Sequence, residues 1–414
     1  MSAEEHNIED EEVKKLLQTK LDNVEDLDLL DDEELGSLNE ETSEEDLELI
    51  KAITDIPPGE EGMKQLLNSP AVTRIEEQLD KPFDDQPKGR ALTELLTQLK
   101  VEDRTEEYKN NVEQAYVNAM KSVQQLYRKI SKGCVFSNSK IRNIVNSFMN
   151  VFIKDRCIVL NLSGYHIQTN DYLFEHALHV CLQAMNIATA CKYSQDQVIE
   201  IGSAGLMADV GMMLIPESIR QKKGKLNKDE FFEIQKHPML GIAVLEKVMG
   251  MPDTVAYTSY QHHERCSGIG YPKLRGSRII HNYAKIVSIA DVYQALSTDR
   301  AHRSGLQPDK AIVMLLKMAH AGMLDKEIVK QFVRSISVYP VGSLVELTDG
   351  RKAKVIQANQ DNVKEPMVSL IADSQGKKLK KEDVNQIDLA NSSSVKISRG
   401  ISSAGQEISL MEGF

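Results

Sequence analysis

The spacing of apolar residues between positions 88 and 335 restricts this chain to a mainly α fold. Leu92, Leu95 and Leu99 lie three and four residues apart, and later segments keep that helical period. The later helical candidates are 139–155, 171–192, 195–208, 227–248, 252–262, 279–298 and 308–319. No glycine-rich phosphate loop and no alternation of strands with helices is visible, which argues against a doubly wound nucleotide-binding sheet.

The pattern changes near Tyr339-Pro340, after which short β-like runs alternate with turns. We therefore expect a helical bundle with an N-terminal helical region and a small C-terminal β domain. The predicted parts are an acidic and flexible tail (1–60), a helical N-terminal region (61–155), the main helical domain (156–335), a small β-rich domain (336–390) and a second flexible tail (391–414).

Charge is distributed unevenly along the 414 residues. Residues 1–60 hold 22 acidic and four basic side chains, a net charge of −18, whereas the remaining 354 residues carry a net charge of +6. The acidic segment is either a solvated tail or an amphipathic segment that folds onto a basic partner protein. Because it would compete with phosphates for the basic surface, we do not expect the chain to bind duplex nucleic acid.

Cysteine usage and the N-terminal sequence predict a cytoplasmic protein. The five cysteines form no CxxC pair, which is typical of reduced thiols. The first residues have no basic and apolar export signal, and no uninterrupted run of 18 apolar residues occurs. We therefore expect neither export nor membrane insertion.

Histidine is concentrated in one part of the chain, since nine of the ten His lie between His166 and His320. Imidazole and carboxylate ligands suit iron, manganese or zinc. A single His in such a pattern is more often structural, but the adjacent pair His262-His263 is costly to pack without a partner. The candidate metal ligands are His176, Asp209, His237, His262, His263 and Asp291.

One string resembles the signature of a known family. The sequence His262-His263-Glu264-Arg265-Cys266-Ser267-Gly268-Ile269-Gly270-Tyr271-Pro272 is similar to the HHExxDGxGYP motif of the HD-GYP family, whose members hydrolyse cyclic di-GMP. Similar matches occur, in order, around His176, Ala208-Asp209, His237, Asp291 and Arg300. Together they span roughly residues 110–390.

The resemblance implies a role for each matching residue. It assigns the six candidates above to a site for one or two divalent ions, iron or manganese, with Asp209 as the shared ligand and catalytic group. It also assigns Arg300 and Arg303 to phosphate contact, and Gly270, Tyr271 and Pro272 to a loop beside the substrate. The alternative for this loop is that it only packs on its own helix.

The departures from the family pattern weaken one of the two implied metal positions. Ala208 replaces the histidine of the HD pair, which leaves His176, Asp209 and Asp291 for one ion, while the other four-residue set stays complete. Ser267 and Met212 remove a carboxylate and a cation, and Tyr172 stands where members with three metals have a glutamate. His179, one helical turn after His176, is a further candidate ligand or a core residue.

Three functions remain open at this point. The first is a weakly active or metal-selective cyclic di-GMP phosphodiesterase. The second is a degenerate module that binds cyclic di-GMP, or docks onto partners such as diguanylate cyclase domains, without turnover. The third is a scaffold in a larger cytoplasmic assembly. The missing donor at Ala208 favours the second function over full catalysis.

Overall fold

The computed structural model describes residue 57 and the ranges 59–96, 105–133, 136–162, 171–222, 224–298, 305–359, 362–379, 385–392 and 394–401. Some predictions fall outside these ranges. They concern the acidic segment to residue 56, Cys134, the two arginines Arg300 and Arg303, and the last residues from 402.

Helices account for most of the described residues up to Ile336, as expected. In chain order they are α1 (Gly59–Leu67), α2 (Pro70–Leu79), α3 (Leu92–Leu96), α4 (Glu106–Ser131), α5 (Asn138–Lys154), α6 (Arg156–Leu162), α7 (Tyr172–Ala190), α8 (Gln195–Met207), α9 (Glu217–Arg220), α10 (Lys228–Gln235), α11 (His237–Leu245), α12 (Asp253–Gln261), α13 (Asn282–Ser297), α14 (Pro308–His320) and α15 (Lys326–Ile336). Short 3-10 helices occupy Val210–Leu214 and Ser277–Ile279.

Helix α7 is the central element of the helical part. It contacts α4, α8, α13 and α15, and 17 of its 19 residues are buried. Asp171 caps its first turn by accepting a hydrogen bond from the amide of Leu173. A helix that is apolar on nearly all sides is stable only inside a core, and this burial fixes the position of His176 in its second turn.

Helix α8 lies close against α7 because it carries a glycine at the contact. A Cβ on Gly205 would lie 3.2 Å from the Cα of Cys181 and 3.2 Å from the carbonyl oxygen of Val180. The two backbones can therefore approach each other, and the end of α8 lies beside His176. Asp209 follows directly after this end.

The predicted helix 227–248 is two helices, α10 and α11, separated at Lys236. Pro238 has no amide hydrogen and cannot donate to the carbonyl of Ile234, so the hydrogen-bond ladder is interrupted at that point. The buried Lys236 ammonium group binds the carboxylate of Glu233 and the carbonyl of Pro57.

The N-terminal helices cover the helices that carry the candidate site. Helix α1 contacts α10 and α11, and α2 contacts α11 and α12. Their apolar residues, Leu66, Val72, Ile75 and Leu79, belong to the same core cluster as those of α7 and α8. The N-terminal region is therefore packed against the main helical domain.

The C-terminal part is an antiparallel sheet with the strand order β4-β3-β2-β1-β5. Its strands are β1 (Leu344–Leu347), β2 (Lys352–Gln357), β3 (Met367–Ala372), β4 (Gln386–Asp388) and β5 (Ile397–Ile401). Its own small core includes Val345, Val355, Val368 and Leu370. The prediction of a small C-terminal β domain is confirmed.

Strand β5 lies beyond residue 390, where the sequence predicted that the flexible tail begins. It pairs with β1, which would otherwise be an edge strand, and Leu344 lies opposite Ile401. The sequence around β5 is rich in serine and glycine, so its local pattern did not indicate a strand.

One described segment, Gln195–Leu214, is long and apolar enough to cross a membrane by length and composition. Its most apolar window is 72% buried inside the protein, as in the core helix of a globular domain.

Candidate metal centre

The structure brings the six candidate ligands together from five places in the fold. His176 lies in α7, Asp209 directly after α8, His237 at the start of α11, His262 and His263 after α12, and Asp291 in α13. Their donor atoms form two groups, and within each group all atoms lie within 4.8 Å of one another. The first group is Asp209, His237, His262 and His263, and the second is His176, Asp209 and Asp291.

A glycine allows Asp209 and His237 to meet. A Cβ on Gly211 would lie 2.0 Å from the carbonyl oxygen of His237 and 2.5 Å from the amide nitrogen of Gly241. No other residue fits this contact between the 3-10 turn after Asp209 and the first turn of α11. The close approach places the Asp209 carboxylate 3.2 Å from His237 Nε2.

Backbone carbonyls set the tautomers of two histidines. His237 Nδ1 lies 2.7 Å from the Ile234 carbonyl oxygen, and His262 Nδ1 lies 2.8 Å from that of Ser259. Because a carbonyl oxygen only accepts, each Nδ1 carries a hydrogen and donates it. The Nε2 lone pair of each neutral ring is then directed into the group, which is the usual arrangement around metal-binding histidines.

Three electron-rich atoms converge in the first group. Asp209 Oδ1 lies 3.2 Å from His237 Nε2 and 3.4 Å from His262 Nε2, and the two Nε2 atoms are 3.4 Å apart. With both rings neutral, no hydrogen lies between these atoms. A divalent cation would satisfy all of them at once, and mixed imidazole and carboxylate donors suit iron, manganese or zinc. The residues present therefore fit a metal ion.

The second group has three donors and a different electrostatic balance. His176 Nε2 lies 3.0 Å from Asp291 Oδ1 and 3.4 Å from Asp209 Oδ2. Burial alone would lower the pKa of His176, but the contacts with the Asp209 and Asp291 carboxylates outweigh it and raise the pKa to about 9. Burial would likewise raise the pKa of Asp209, but its hydrogen bond with His176, the largest opposing effect, holds that pKa well below the usual value.

His263 is held as a neutral ring beside the other histidines. Its pKa lies well below the ordinary value, first because the ring is buried and then because His262 and His237 lie next to it. The ring stacks on Tyr271 with centroids 4.6 Å apart and an interplanar angle of 24°. Its Nδ1 atom lies 3.9 Å from Asp291 Oδ2, so His263 lies between the two groups.

The loop from Arg265 to Gly276 closes over this histidine. A Cβ on Gly270 would lie 2.4 Å from the carbonyl oxygen of His263, a contact that only glycine permits. The Glu264 carboxylate accepts hydrogen bonds from the amides of Lys273 and Arg275 at 2.7 and 2.8 Å. The Tyr271-Pro272 peptide bond is cis. Gly270 and Tyr271 thus lie directly against His263, next to the donor groups.

A residue outside the main helical domain also holds this loop, which the sequence analysis missed. Glu76 of α2 forms an ion pair with Arg275 and accepts a hydrogen bond from the Tyr260 hydroxyl. Glu76 and Arg275 are 199 positions apart, so no local sequence pattern pointed to this contact.

Three residues at or near the departures from the family pattern lie outside the two donor groups. Ala208 is buried, and its carbonyl accepts a hydrogen bond from Ser259 Oγ at 2.9 Å. His179 Nε2 lies 2.7 Å from the Tyr116 hydroxyl, and His179 belongs to neither donor group. Ser267 is exposed and likewise belongs to neither group.

The two remaining departures also lie outside the donor groups. Met212 is 6% exposed and packs in the core, whereas Tyr172 is 36% exposed at the start of α7. Arg300 and Arg303, the predicted phosphate contacts, fall outside the described residues.

Comparison with family models identifies the helical part. Residues 165–328 match the model for the HD domain, and residues 344–407 match the model for the KOW domain associated with the HD domain. The matched range contains all six residues of the two donor groups and the Gly270-Tyr271-Pro272 loop. Residues 165–328 of this chain are therefore an HD domain.

Several curated proteins with similar sequences are named as phosphodiesterases of cyclic dinucleotides. This chain is 28% identical over 260 residues to a cyclic di-GMP phosphodiesterase of Pseudomonas aeruginosa, covering 63% of this chain and 62% of the relative. It is 25% identical over 217 residues to the cyclic di-GMP phosphodiesterase PdeB of Borreliella burgdorferi, covering 52% and 56%. It is 29% identical over 177 residues to 3'3'-cGAMP-specific phosphodiesterase 1 of Vibrio cholerae, covering 43% and 41%.

The matches therefore span about two fifths to three fifths of the length of these relatives. Among solved structures, an HDG"Y"P protein of Bdellovibrio bacteriovorus aligns with a TM-score of 0.47 and 14% identity, covering 58% of this chain and 76% of that one.

Proposed function

We propose that this HD-domain chain binds cyclic di-GMP at the metal centre and hydrolyses it slowly or not at all. The observation that carries the proposal is the difference between the two donor groups. One group offers four donor residues, whereas the other offers three, and the buried methyl group of Ala208 stands where the family has a histidine. Loss of a direct ligand weakens a metal site by more than the 10- to 100-fold loss that is typical of outer contacts.

The metal ion would be held by Asp209, His237, His262 and His263, and iron or manganese is the expected element. A divalent ion at this place would polarise a phosphodiester oxygen and lower the pKa of bound water. The second position, at His176, Asp209 and Asp291, would bind an ion weakly. Without that ion, a protonated His176 would compensate one of the two carboxylate charges.

The protein's own residues supply the rest of the binding site. Tyr271 is fixed against His263, so its ring offers a rigid face on which a guanine base can stack. Gly270 and Pro272 fix the position of this ring, and Arg300 and Arg303 are proposed to hold the phosphates. The substrate class is supported by the relatives, which are named for cyclic di-GMP or for 3'3'-cGAMP.

A partner protein is proposed to dock on the same loop. Ile269 and Leu274 of the loop are 64% and 63% exposed, and an exposed apolar pair beside a binding site suits a protein contact. Diguanylate cyclase domains are the proposed partners at this loop. The acidic N-terminal segment is proposed to recruit a basic partner by charge.

The second candidate is an active metal-dependent phosphodiesterase. It is favoured by the presence of both donor groups and by Asp209, which belongs to each of them. Incubation of the protein with cyclic di-GMP and Mn(II) without oxygen, followed by chromatography of the nucleotides, separates the two candidates. Binding with intact cyclic di-GMP supports the proposal, whereas linear dinucleotide or GMP that disappears in Asp209→Ala supports the enzyme.

Replacement of Ala208 tests the physical reason for low turnover. We expect Ala208→His to restore the missing donor and to raise Mn(II) content and cyclic di-GMP hydrolysis together, by more than about tenfold. Ala208→Leu adds a similar volume without a nitrogen donor and is the matched control. An Ala208→His protein that folds and shows the same metal content and the same turnover as the wild type would refute the argument.

A further inference from the structure

A second cavity lies away from the metal centre, where the helical part meets the β domain. Its volume is about 920 Å³, within the range of small-molecule sites. Residues from α3, α6, α7, α14 and α15 and Val363 of the β domain line it. None of the six residues of the metal centre is among the lining residues.

The lining of this cavity is cationic. It contains five Lys and Arg residues and one His, and no aspartate or glutamate is among the lining residues. The basic lining residues are Arg156, Lys192, His320, Lys326, Lys330 and Arg334. Within the described residues, the lining residue Lys330 forms an ion pair with Glu327 at 3.8 Å. Both side chains are more than half exposed, so this pair neutralises little of the positive charge of the cavity.

Arg156 differs from the other cations because its side chain is held in place. Its Nε and Nη2 atoms both donate to Asn186 Oδ1. Asn186 is fully buried and donates to Ser335 Oγ at 3.0 Å, and Ser335 donates to the Phe332 carbonyl at 2.7 Å. This chain of hydrogen bonds fixes the guanidinium plane at the cavity before any ligand arrives.

The charge of Arg156 has no carboxylate partner in the part of the chain that the structure describes. Its guanidinium carbon lies 5.9 Å from the centre of the Phe152 ring, and its Nη1 atom makes no hydrogen bond among the described residues. Desolvation in this partly buried position lowers its pKa to about 10. A partly buried cation without a counter-ion is unfavourable, and a bound anion would compensate its charge.

We propose that this cavity binds a phosphorylated small molecule of about nucleotide size, independently of the metal centre. Arg156 binds a phosphate group through its free Nη1 hydrogens, and the lysines and Arg334 at the rim bind further phosphate oxygens. A cavity with a fixed guanidinium suits a compact, highly charged phosphate group better than single carboxylates spaced along a peptide. The ligand therefore differs from the acidic N-terminal residues, which are the other source of negative charge in this chain.

Calorimetric titration of the full-length protein with inorganic pyrophosphate tests the proposal. Excess EDTA in the buffer keeps the metal centre free of ions, so that metal-bound phosphate does not contribute. We expect Arg156→Gln to weaken pyrophosphate binding by about tenfold or more, since it removes a charge-assisted hydrogen bond. If Arg156→Gln does not fold, the rim pair Lys326→Gln with Arg334→Gln gives the same test.

Lys317→Gln is the matched control. Lys317 is an exposed residue of α14 next to the cavity but not among its lining residues, so this change should leave the affinity unaltered. Equal affinity in the wild type and the cavity variants would overturn the proposal, as would an equal loss in Lys317→Gln. A synthetic peptide of residues 24–50 that binds through Arg156 while pyrophosphate does not would overturn it as well.

Discussion

Pro238 follows His237 directly and has no amide hydrogen. The backbone carbonyl that this hydrogen would bind is therefore available to the Nδ1–H group of His237. The Ile234 carbonyl, which a non-proline residue at 238 would bind in a regular helix, accepts from His237 Nδ1 instead. The Nδ1 atom of the neighbouring His262 likewise donates to a backbone carbonyl, that of Ser259. Single backbone acceptors therefore orient both imidazoles of the four-donor group.

We predict that Pro238→Ala lowers the affinity for Mn(II) without unfolding the protein. The new amide competes for the Ile234 carbonyl, so His237 loses the contact that fixes its ring. Loss of such an outer contact costs about 10-fold in metal affinity. Equilibrium dialysis measures the affinity, and circular dichroism serves as the folding control. Unaltered Mn(II) affinity in a folded variant would contradict this view of His237.

His281 gives a pH dependence that is independent of the metal centre. It is buried against Phe83 and Tyr283, and its Nδ1 accepts the amide hydrogen of Tyr283 at the start of α13. Burial, followed by the nearby Lys285, lowers its pKa to about 4 against the opposing effect of Asp85. Between pH 6.5 and 4 the unfolded chain therefore binds the proton that the folded protein excludes.

The free energy of unfolding should fall as the pH falls through this window. The contribution of His281 is about 3 kcal/mol, fully present above pH 6.5 and lost towards pH 4. His281→Asn keeps a capping acceptor but cannot titrate. In urea unfolding at several pH values, we expect the wild type to lose about 3 kcal/mol more than this variant between pH 7 and 4. Parallel curves would contradict the assignment.

At the scale of elements, α2 holds the loop of the metal centre through one partly buried carboxylate. Glu76 is paired with Arg275, and the side chains are 19% and 11% exposed. Removal of one partner of this partly buried pair leaves the other charge behind, which costs about 1 to 3 kcal/mol, between the values for exposed and buried pairs. We predict that Glu76→Gln lowers the melting temperature and speeds hydrogen exchange in residues 265–279.

The pair Glu60–Lys64 of α1 provides the matched control for this variant. Its side chains are 67% and 69% exposed, so Glu60→Gln should leave the melting temperature and the exchange of residues 265–279 unaltered. If both variants behave alike, or if exchange in the loop stays slow in Glu76→Gln, α2 does not hold the loop.

The helices were largely predictable from the sequence because their apolar residues recur with the helical period. The predicted segments 195–208 and 308–319 differ from α8 and α14 by one residue at one end. The division of 227–248 was not predicted, since it depends on what the Ile234 carbonyl binds. Strand β5 was not predicted either, because its partner β1 lies some 50 residues earlier and supplies the pairing.

The metal centre was predictable in composition but not in detail. The resemblance identified the six residues that the structure brings together, because family motifs record residue types. It gave no information on the carbonyl contacts of His237 and His262, or on the link from Glu76 to Arg275. The carbonyl contacts use backbone atoms one helical turn away, which a residue motif does not record, and the ion pair joins residues 199 positions apart.

At the scale of the whole molecule, the two proposed binding sites for anions lie at separate places. The metal centre lies under the loop that contains Tyr271, and the cationic cavity lies where α6, α14 and α15 approach the β domain. Both depend on positive charge placed in a body whose net charge beyond residue 60 is +6. The acidic segment before it, at −18, would repel nucleotides at long range.

The number of metal ions bound per chain tests the central claim most directly. The protein would be titrated with Mn(II) under anaerobic conditions, with free and bound ions distinguished by electron paramagnetic resonance. The four-donor and three-donor groups predict one tightly bound ion with the signal of an isolated Mn(II), and a second ion only at much higher concentration. Two ions of similar affinity with a spin-coupled signal would contradict the claim of one weakened position. The absence of a histidine at Ala208 would then not lower the affinity for the second ion.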